Sequence, residues 1–306
     1  MPLTRHQNSN AQNKPLKHSC RNMENKKTVH FVPTYFLRPV HPITVYLVGA
    51  GGNGSQMLSA LCRIDHALRA IGDHPGLNVT VFDPDKVEPS NIGRQLFTQG
   101  DLGQNKAECL VTRFNRCFGT RWTARDRKFE HDSVCGSQYP NIIITCVDNI
   151  DARKKIGKLF RAWNITPEQD SYSTYAMEHR VYYWLDLGNA QKTGQAILGS
   201  NYIRQPETKE YETTDTLPTI TEQFNLSKIK EKDSGPSCSM AEALTKQDLF
   251  INSVLVQNSA SLLWSLLTDM AIDTRGMFVN VDTYQTVPVR IQQQDKLLIS
   301  KPKQKK

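Results

Sequence analysis

The sequence has no CxxC pair, no uninterrupted apolar run of membrane length and no internal repeat, and its histidines fall at no metal-ligand spacing. A structural zinc held by two cysteine pairs is therefore not expected. The longest apolar-leaning stretch, 249–272, is broken by Asn252, Gln257, Asn258 and Asp269, short of the roughly 18 to 20 apolar residues of a membrane span. The seven cysteines, Cys20, Cys62, Cys109, Cys117, Cys135, Cys146 and Cys238, are odd in number and scattered, in a chain too long to need disulfide staples. The opening segment is polar throughout, without a secretory pattern, so a reducing, cytoplasmic setting is expected. Cys62, Cys109, Cys117 and Cys146 lie in helix or strand patterns and are expected to be buried.

Net positive charge is also missing from the middle of the chain. The 306 residues sum to +8, of which 1–40 carry +6 and 290–306 carry +5, so residues 41–289 are at −3. The basicity belongs to the two ends, and a phosphate-tracking groove for nucleic acid is not indicated on the folded body. At 38% hydrophobic and 22% charged residues, with a mean hydropathy of −0.51, the composition excludes a collagen, a coiled-coil rod and a multi-span membrane protein.

What is there is an alternation of strands and helices. Residues 1–29 are polar and read as a flexible basic arm. From Thr44, TVYLV predicts a strand, GAGGNGS a glycine turn, and the apolar spacing of Met57, Leu58, Leu61, Ile64, Leu68 and Ile71 a helix ending at Gly72. VTVFD (79–83) predicts a second strand, Gln104 to Phe118 a helix, RWTARDRKF a possible third strand, and NIIITCVDN (141–149) a strand buried on both faces with a helix after it. This order points to an α/β, Rossmann-like, mostly parallel sheet with helices on both faces. YYWLDLGNA and GQAILGS, turning at Lys192, suit an antiparallel extension, followed by a polar mobile crossover over 204–236, a long helix over about 240–272 and a closing hairpin. One domain over 30–291 and a basic tail over 292–306 complete the expected organisation.

Gly49, Gly51 and Gly54 form GxGxxG between a strand and a helix, where glycine backbone and helix-terminal N–H groups can meet a phosphate. Gly52 lies in the same turn. Asp83 ends the second strand, where a ribose contact belongs, but 29 residues after Gly54 is long spacing for a dehydrogenase. The segment DPDKVEPSNIGRQLFTQGDLGQNKA then brings Asp83, Asp85, Asn91, Arg94, Gln95 and Lys106 to one strand end. Cations there suit adenylation, in which charge develops on the α-phosphate and the leaving pyrophosphate. Asp148, beyond the buried strand, is placed either to hold Mg²⁺ beside a triphosphate or to cap the next helix.

GAGGNGS, DPD, SNIGRQ, GQNKA and CVDN with Arg153 nearby, in this order over about 44–160, resemble the superfamily of ThiF, MoeB and the ubiquitin-activating enzymes. Later segments, YYWLDLGNAQKTGQAILG and PSCSMAEALTKQDLFIN, are most similar to the ThiF-related protein of the PRTRC cassettes and extend the resemblance over about 30–290. The resemblance implies adenylation of the C-terminal carboxylate of a small ubiquitin-like protein by Mg·ATP. It implies Gly49, Gly51 and Gly54 on the phosphates, Asp83 on the ribose, Asn91, Arg94 and Lys106 on the triphosphate, and Asp148 as the metal-linked acid. Cys238 in PSCS resembles the thioester cysteine of the activating enzymes. A homodimer is also implied, with an arginine lent by the partner, though no motif chooses between Arg21 and Arg38. Two rival readings of the same fold are an NAD(P)-dependent oxidoreductase, for which no catalytic His or Tyr–Lys pair is visible, and a non-catalytic nucleotide-binding scaffold.

Overall fold

Strands made of continuous apolar residues need cover on both faces, and the chain supplies it by interleaving helices. The computed structural model describes residues 26–134, 139–166, 170, 173–226 and 247–292. Cys20, Cys135, Cys238, the first part of the arm and the basic tail from 293 lie outside the described residues.

After β1 (Thr28–Phe31) and the single-turn α1 (Thr34–Leu37), the chain runs β2 (Ile43–Val48), α2 (Gly52–Ala70), β3 (Leu77–Phe82), α3 (Lys106–Phe118), β4 (Thr123–Arg125), β5 (Ile142–Thr145) and α4 (Ile150–Ala162). It continues through α5 (Thr174–Glu178), β6 (Tyr183–Asn189), β7 (Thr193–Ser200), β8 (Glu212–Thr213), α6 (Ile220–Gln223), α7 (Ile251–Thr268), β9 (Ala271–Ile272), β10 (Thr274–Asn280) and β11 (Gln285–Arg290). Eight strands form one sheet in the order β11-β10-β7-β6-β5-β2-β3-β4. The pairings from β6 to β4 are parallel, and those among β6, β7, β10 and β11 are antiparallel, so the expected fold class and its antiparallel extension are both present. All four residues of β5 are buried, as its unbroken apolar run requires.

Local chemistry sets the helix ends. The Asn105 side chain accepts from Glu108 N at 3.0 Å to start α3, and Gly119, at φ +70°, ends it. Asn149 accepts from Ala152 N at 3.0 Å to start α4. Asp148 is therefore not the cap.

Topology then makes a crevice. From β2 the chain moves to β3 and β4 on one side and returns to place β5 on the other, so its direction of travel across the sheet reverses at β2. Ligands of open α/β sheets bind at such a switch point, outside the carboxyl ends of the strands.

Three expectations are corrected. The segment 204–226, expected to bury little, is sewn into the body: Gln205 Oε1 accepts from Phe31 N at 2.7 Å, Thr214 N donates to Val29 O at 3.3 Å, and Thr214, Leu217, Ile220 and Leu226 are buried. It carries β8 of a small second sheet, β8-β1-β9. The long helix does not run from 240 to 272. It begins at Ile251, because Asp248 turns the chain by donating from N to Gln191 O and accepting from Phe250 N, each at 2.8 Å. Cys117, near the end of α3, is exposed rather than buried, whereas Cys62 and Cys109 are buried and Cys146 is half-buried. Among the described residues no helix is long and apolar enough to cross a membrane.

Candidate functional site

The glycine turn sits at the switch point between β2 and β5. Gly49 adopts φ +93°, a conformation that disfavours other residues, and a Cβ there would lie 2.9 Å from Cys146 O beyond β5. At Gly54 a Cβ would lie 1.8 Å from Gly49 O, so the first turn of α2 closes on the turn itself. Gly52 packs on the Asn252 side chain, 2.3 Å from its Nδ2 on the same measure. Gly51 differs from all three. It precedes a 19-residue helix, and among the described residues no side chain caps it and no atom lies within 4 Å of where its Cβ would stand. Open space thus faces the uncapped N-terminus of α2, where N–H groups and the helix dipole favour an anion.

The loop after β3 forms one wall. Asp83 is buried, and both its oxygens are engaged: Oδ2 accepts from Ala50 N at 2.6 Å and Oδ1 from Asp85 N at 2.8 Å. Burial pushes its carboxyl above the usual range, against the pull of those two N–H groups and of Lys106. Asp85 is exposed, and Lys106 Nζ lies 3.2 Å from its Oδ2. Asn105 joins the same wall, donating to Asp83 O at 2.7 Å and to Asp126 Oδ1 at 2.8 Å. Asn91 is buried and accepts from Glu88 N at 2.9 Å, which shapes the loop before Arg94. Gln95 is buried, and its Oε1 has no partner among the described residues. Arg94 is half-buried, its Nη1 donates to Gln247 Oε1, its Nε has no acceptor among the described residues, and burial lowers its pKa.

The opposite wall carries Asp148, which is exposed. Its backbone is held from behind. Arg153 Nη2 donates to Val147 O at 2.5 Å and to Leu187 O at 3.1 Å, while Nε donates to both oxygens of the buried Asp186 at 3.0 and 3.1 Å. Thr145 Oγ1 donates to Asp186 Oδ1 at 2.5 Å and accepts from Trp184 Nε1 at 2.8 Å, so the pair is compensated rather than bare. Cys146 lies between this network and Gly49. Burial pushes its thiol far up, which makes it a packing residue rather than a nucleophile.

A sequence profile described as the ThiF family matches residues 26–244. The chain belongs to the ThiF family. A ubiquitin-activating enzyme E1 1 of Candida albicans (strain WO-1) is 26% identical over 132 residues, which are 40% of this chain and 12% of that protein. The solved structure of E. coli MccB with ATP has a TM-score of 0.50 at 12% identity, covering 83% of this chain and 65% of that one, a likeness of fold. The chain thus spans about an eighth of the length of its curated relative and under two thirds of that MccB chain.

Within this ThiF-family crevice the structure gathers the glycine turn, Asp83, Asp85, Lys106 and, through Gln247 and Asn252, Arg94. Asp148 joins it through the contact of Cys146 with Gly49. Cys238 lies outside the described residues. Sequence reasoning named Arg153 but missed Gln247, Asn252, Asn105 and the Thr145–Asp186 partners of Arg153 as parts of the site. Asn105 had a signal, an Asn directly before a helix-forming run. Gln247 and Asn252 had none, because their partners lie about 150 to 200 residues away in the chain.

Proposed function

We propose that the protein is an ATP-dependent adenylyltransferase that activates the C-terminal carboxylate of a small ubiquitin-like protein. The observation that carries this reading is the open start of α2 at Gly51, set between a wall with Arg94 and Lys106 and a wall with an exposed carboxylate, Asp148. Family membership and the activating-enzyme relative support it.

In the proposed mechanism, the N–H groups at the start of α2 take the phosphates, Arg94 and Lys106 stabilise their charge, and a carboxylate oxygen of the acceptor attacks the α-phosphorus. The bond from that phosphorus to the bridging oxygen breaks, and pyrophosphate leaves with the electron pair. Asp83 Oδ2 already serves the glycine turn and Oδ1 the backbone of Asp85, so the ribose hydroxyls fall to Asp85 in this scheme. The residues fit a magnesium ion: Asp148 would hold it, and its chemistry is charge neutralisation on the phosphates. The similarity to the PRTRC-cassette protein, passage of the acceptor to Cys238 as a thioester, a homodimer and a cytoplasmic setting belong to the same proposal. They rest on the resemblance read from the sequence.

Calorimetric titration of wild type and Arg94→Ala with Mg·ATP and with NAD tests the reading. ATP binding that weakens in the variant, with NAD silent, is expected. Preference for NAD would return the fold to redox use, and ATP binding without pyrophosphate exchange in the presence of acceptor candidates would favour the scaffold. For the cysteine, Cys238→Ala is expected to keep adenylation and lose any DTT-sensitive conjugate. A conjugate that persists removes Cys238 from the mechanism.

A further inference from the structure

Gln247 lies in the loop that leads into α7, and both ends of its side-chain amide are engaged. Oε1 accepts from Arg94 Nη1, 153 residues away in the chain, and Nε2 donates to Asn252 Oδ1 at 3.2 Å. Asn252 is fully buried and packs on Gly52 in the glycine turn. The backbone next to Gln247 is fixed as well, since Asp248 N donates to Gln191 O and Asp248 Oδ1 accepts from Phe250 N. The Arg94 guanidinium is therefore referenced to the start of α2 through two amides rather than left to find it.

Donor and acceptor identities fix the direction of this relay. An arginine can only donate, so Gln247 presents its oxygen to Arg94 and its nitrogen to Asn252, and Asn252 must answer with its oxygen. Two donors of the relay are then left over, Arg94 Nε and Asn252 Nδ2, both buried without an acceptor among the described residues. Both are groups from which an anion can accept, and the first turn of α2 favours negative charge. Orientation matters here because a long guanidinium side chain carries much rotamer entropy, and fixing it beforehand removes that cost from the binding step.

We infer that Gln247, supported by Asn252, is a positioning residue that holds Arg94 toward the phosphates of the nucleotide. This rests on the assignment of Arg94 to those phosphates proposed above. Removing the acceptor oxygen while keeping the shape, as in Gln247→Met, frees the guanidinium, and Asn252→Leu removes the support one step further back.

The test is calorimetry on the full chain with Mg·ATP and with adenosine, for wild type, Gln247→Met, Asn252→Leu, Arg94→Ala and the double variant Gln247→Met/Arg94→Ala. Gln247→Met is expected to weaken ATP about tenfold, the scale of one hydrogen bond to a charged group, and to leave adenosine unchanged. Asn252→Leu is expected to weaken ATP in the same direction by less. In the Arg94→Ala background, Gln247→Met is expected to change ATP affinity less than about twofold, because a residue that acts through another has nothing left to act on. An equal loss in both backgrounds, an equal loss for ATP and adenosine, or no loss for Gln247→Met overturns the inference while leaving Arg94 in place. Wild-type ATP affinity in Arg94→Ala is a different failure, since it removes the phosphate assignment itself and the inference with it.

Discussion

Asp83 and Asp148 follow the strands that flank β2 on its two sides, and each lies near the glycine turn. One is 5% exposed with both oxygens taken by backbone N–H groups, while the other is open and stands beside an asparagine that already caps the next helix. The glycines divide in the same way. Gly54 has no room for a methyl group because Gly49 O occupies the place, and Gly51 faces no atom of the described residues within 4 Å. Each pair has the same residue type but opposite surroundings. The crevice is thus a closed frame that fixes the backbone and an open rim that is left unsatisfied, and only the rim has capacity for a ligand.

Substitutions in the frame should cost stability and those in the rim should cost binding. The largest effect is expected at Gly54→Ala, where a Cβ meets backbone oxygen that cannot step aside. Urea denaturation should show a loss above about 4 kcal/mol or failure to fold. Wild-type stability there would break the distinction. Asp83→Asn should follow at about 2–3 kcal/mol, because an amide nitrogen must then face one of two backbone N–H donors, both of which need an acceptor. Asp148→Ala reverses the pattern: pyrophosphate exchange with an acceptor should fall at least about 100-fold while stability stays within about 0.5 kcal/mol of wild type. Loss of folding in that variant would move Asp148 into the frame.

Much of the fold was legible because its signals are local. The apolar run of β5, the Asn105 and Gly119 bounds of α3 and the glycine turn after β2 each announce themselves within a few residues. The division between frame and rim was not legible, since it depends on which groups meet across the sheet. The resemblance put Asp83 on the ribose, while its place on Ala50 N and Asp85 N comes from β3 lying in register beside β2. The crossover was misjudged for the same reason. Its polar composition over 204–226 hides partners such as Ser200 Oγ, which accepts from Leu217 N, and the β1 backbone, which no local pattern can name.

The smallest and sharpest test is at Gly51. Alanine there adds one methyl group where no atom of the described residues lies within 4 Å. Stability should change by less than about 1 kcal/mol. The same methyl would stand in the space through which a phosphate approaches the first N–H groups of α2, so ATP affinity should fall about tenfold or more while adenosine, which needs no such approach, is unaffected. A variant that binds ATP as the wild type does would show that the phosphates lie elsewhere and that the open face at Gly51 is only a gap in the packing. Loss of ATP binding at unchanged stability would separate ligand space from structural space at the level of a single carbon atom, two residues from Gly49 and three from Gly54, where the turn tolerates no addition.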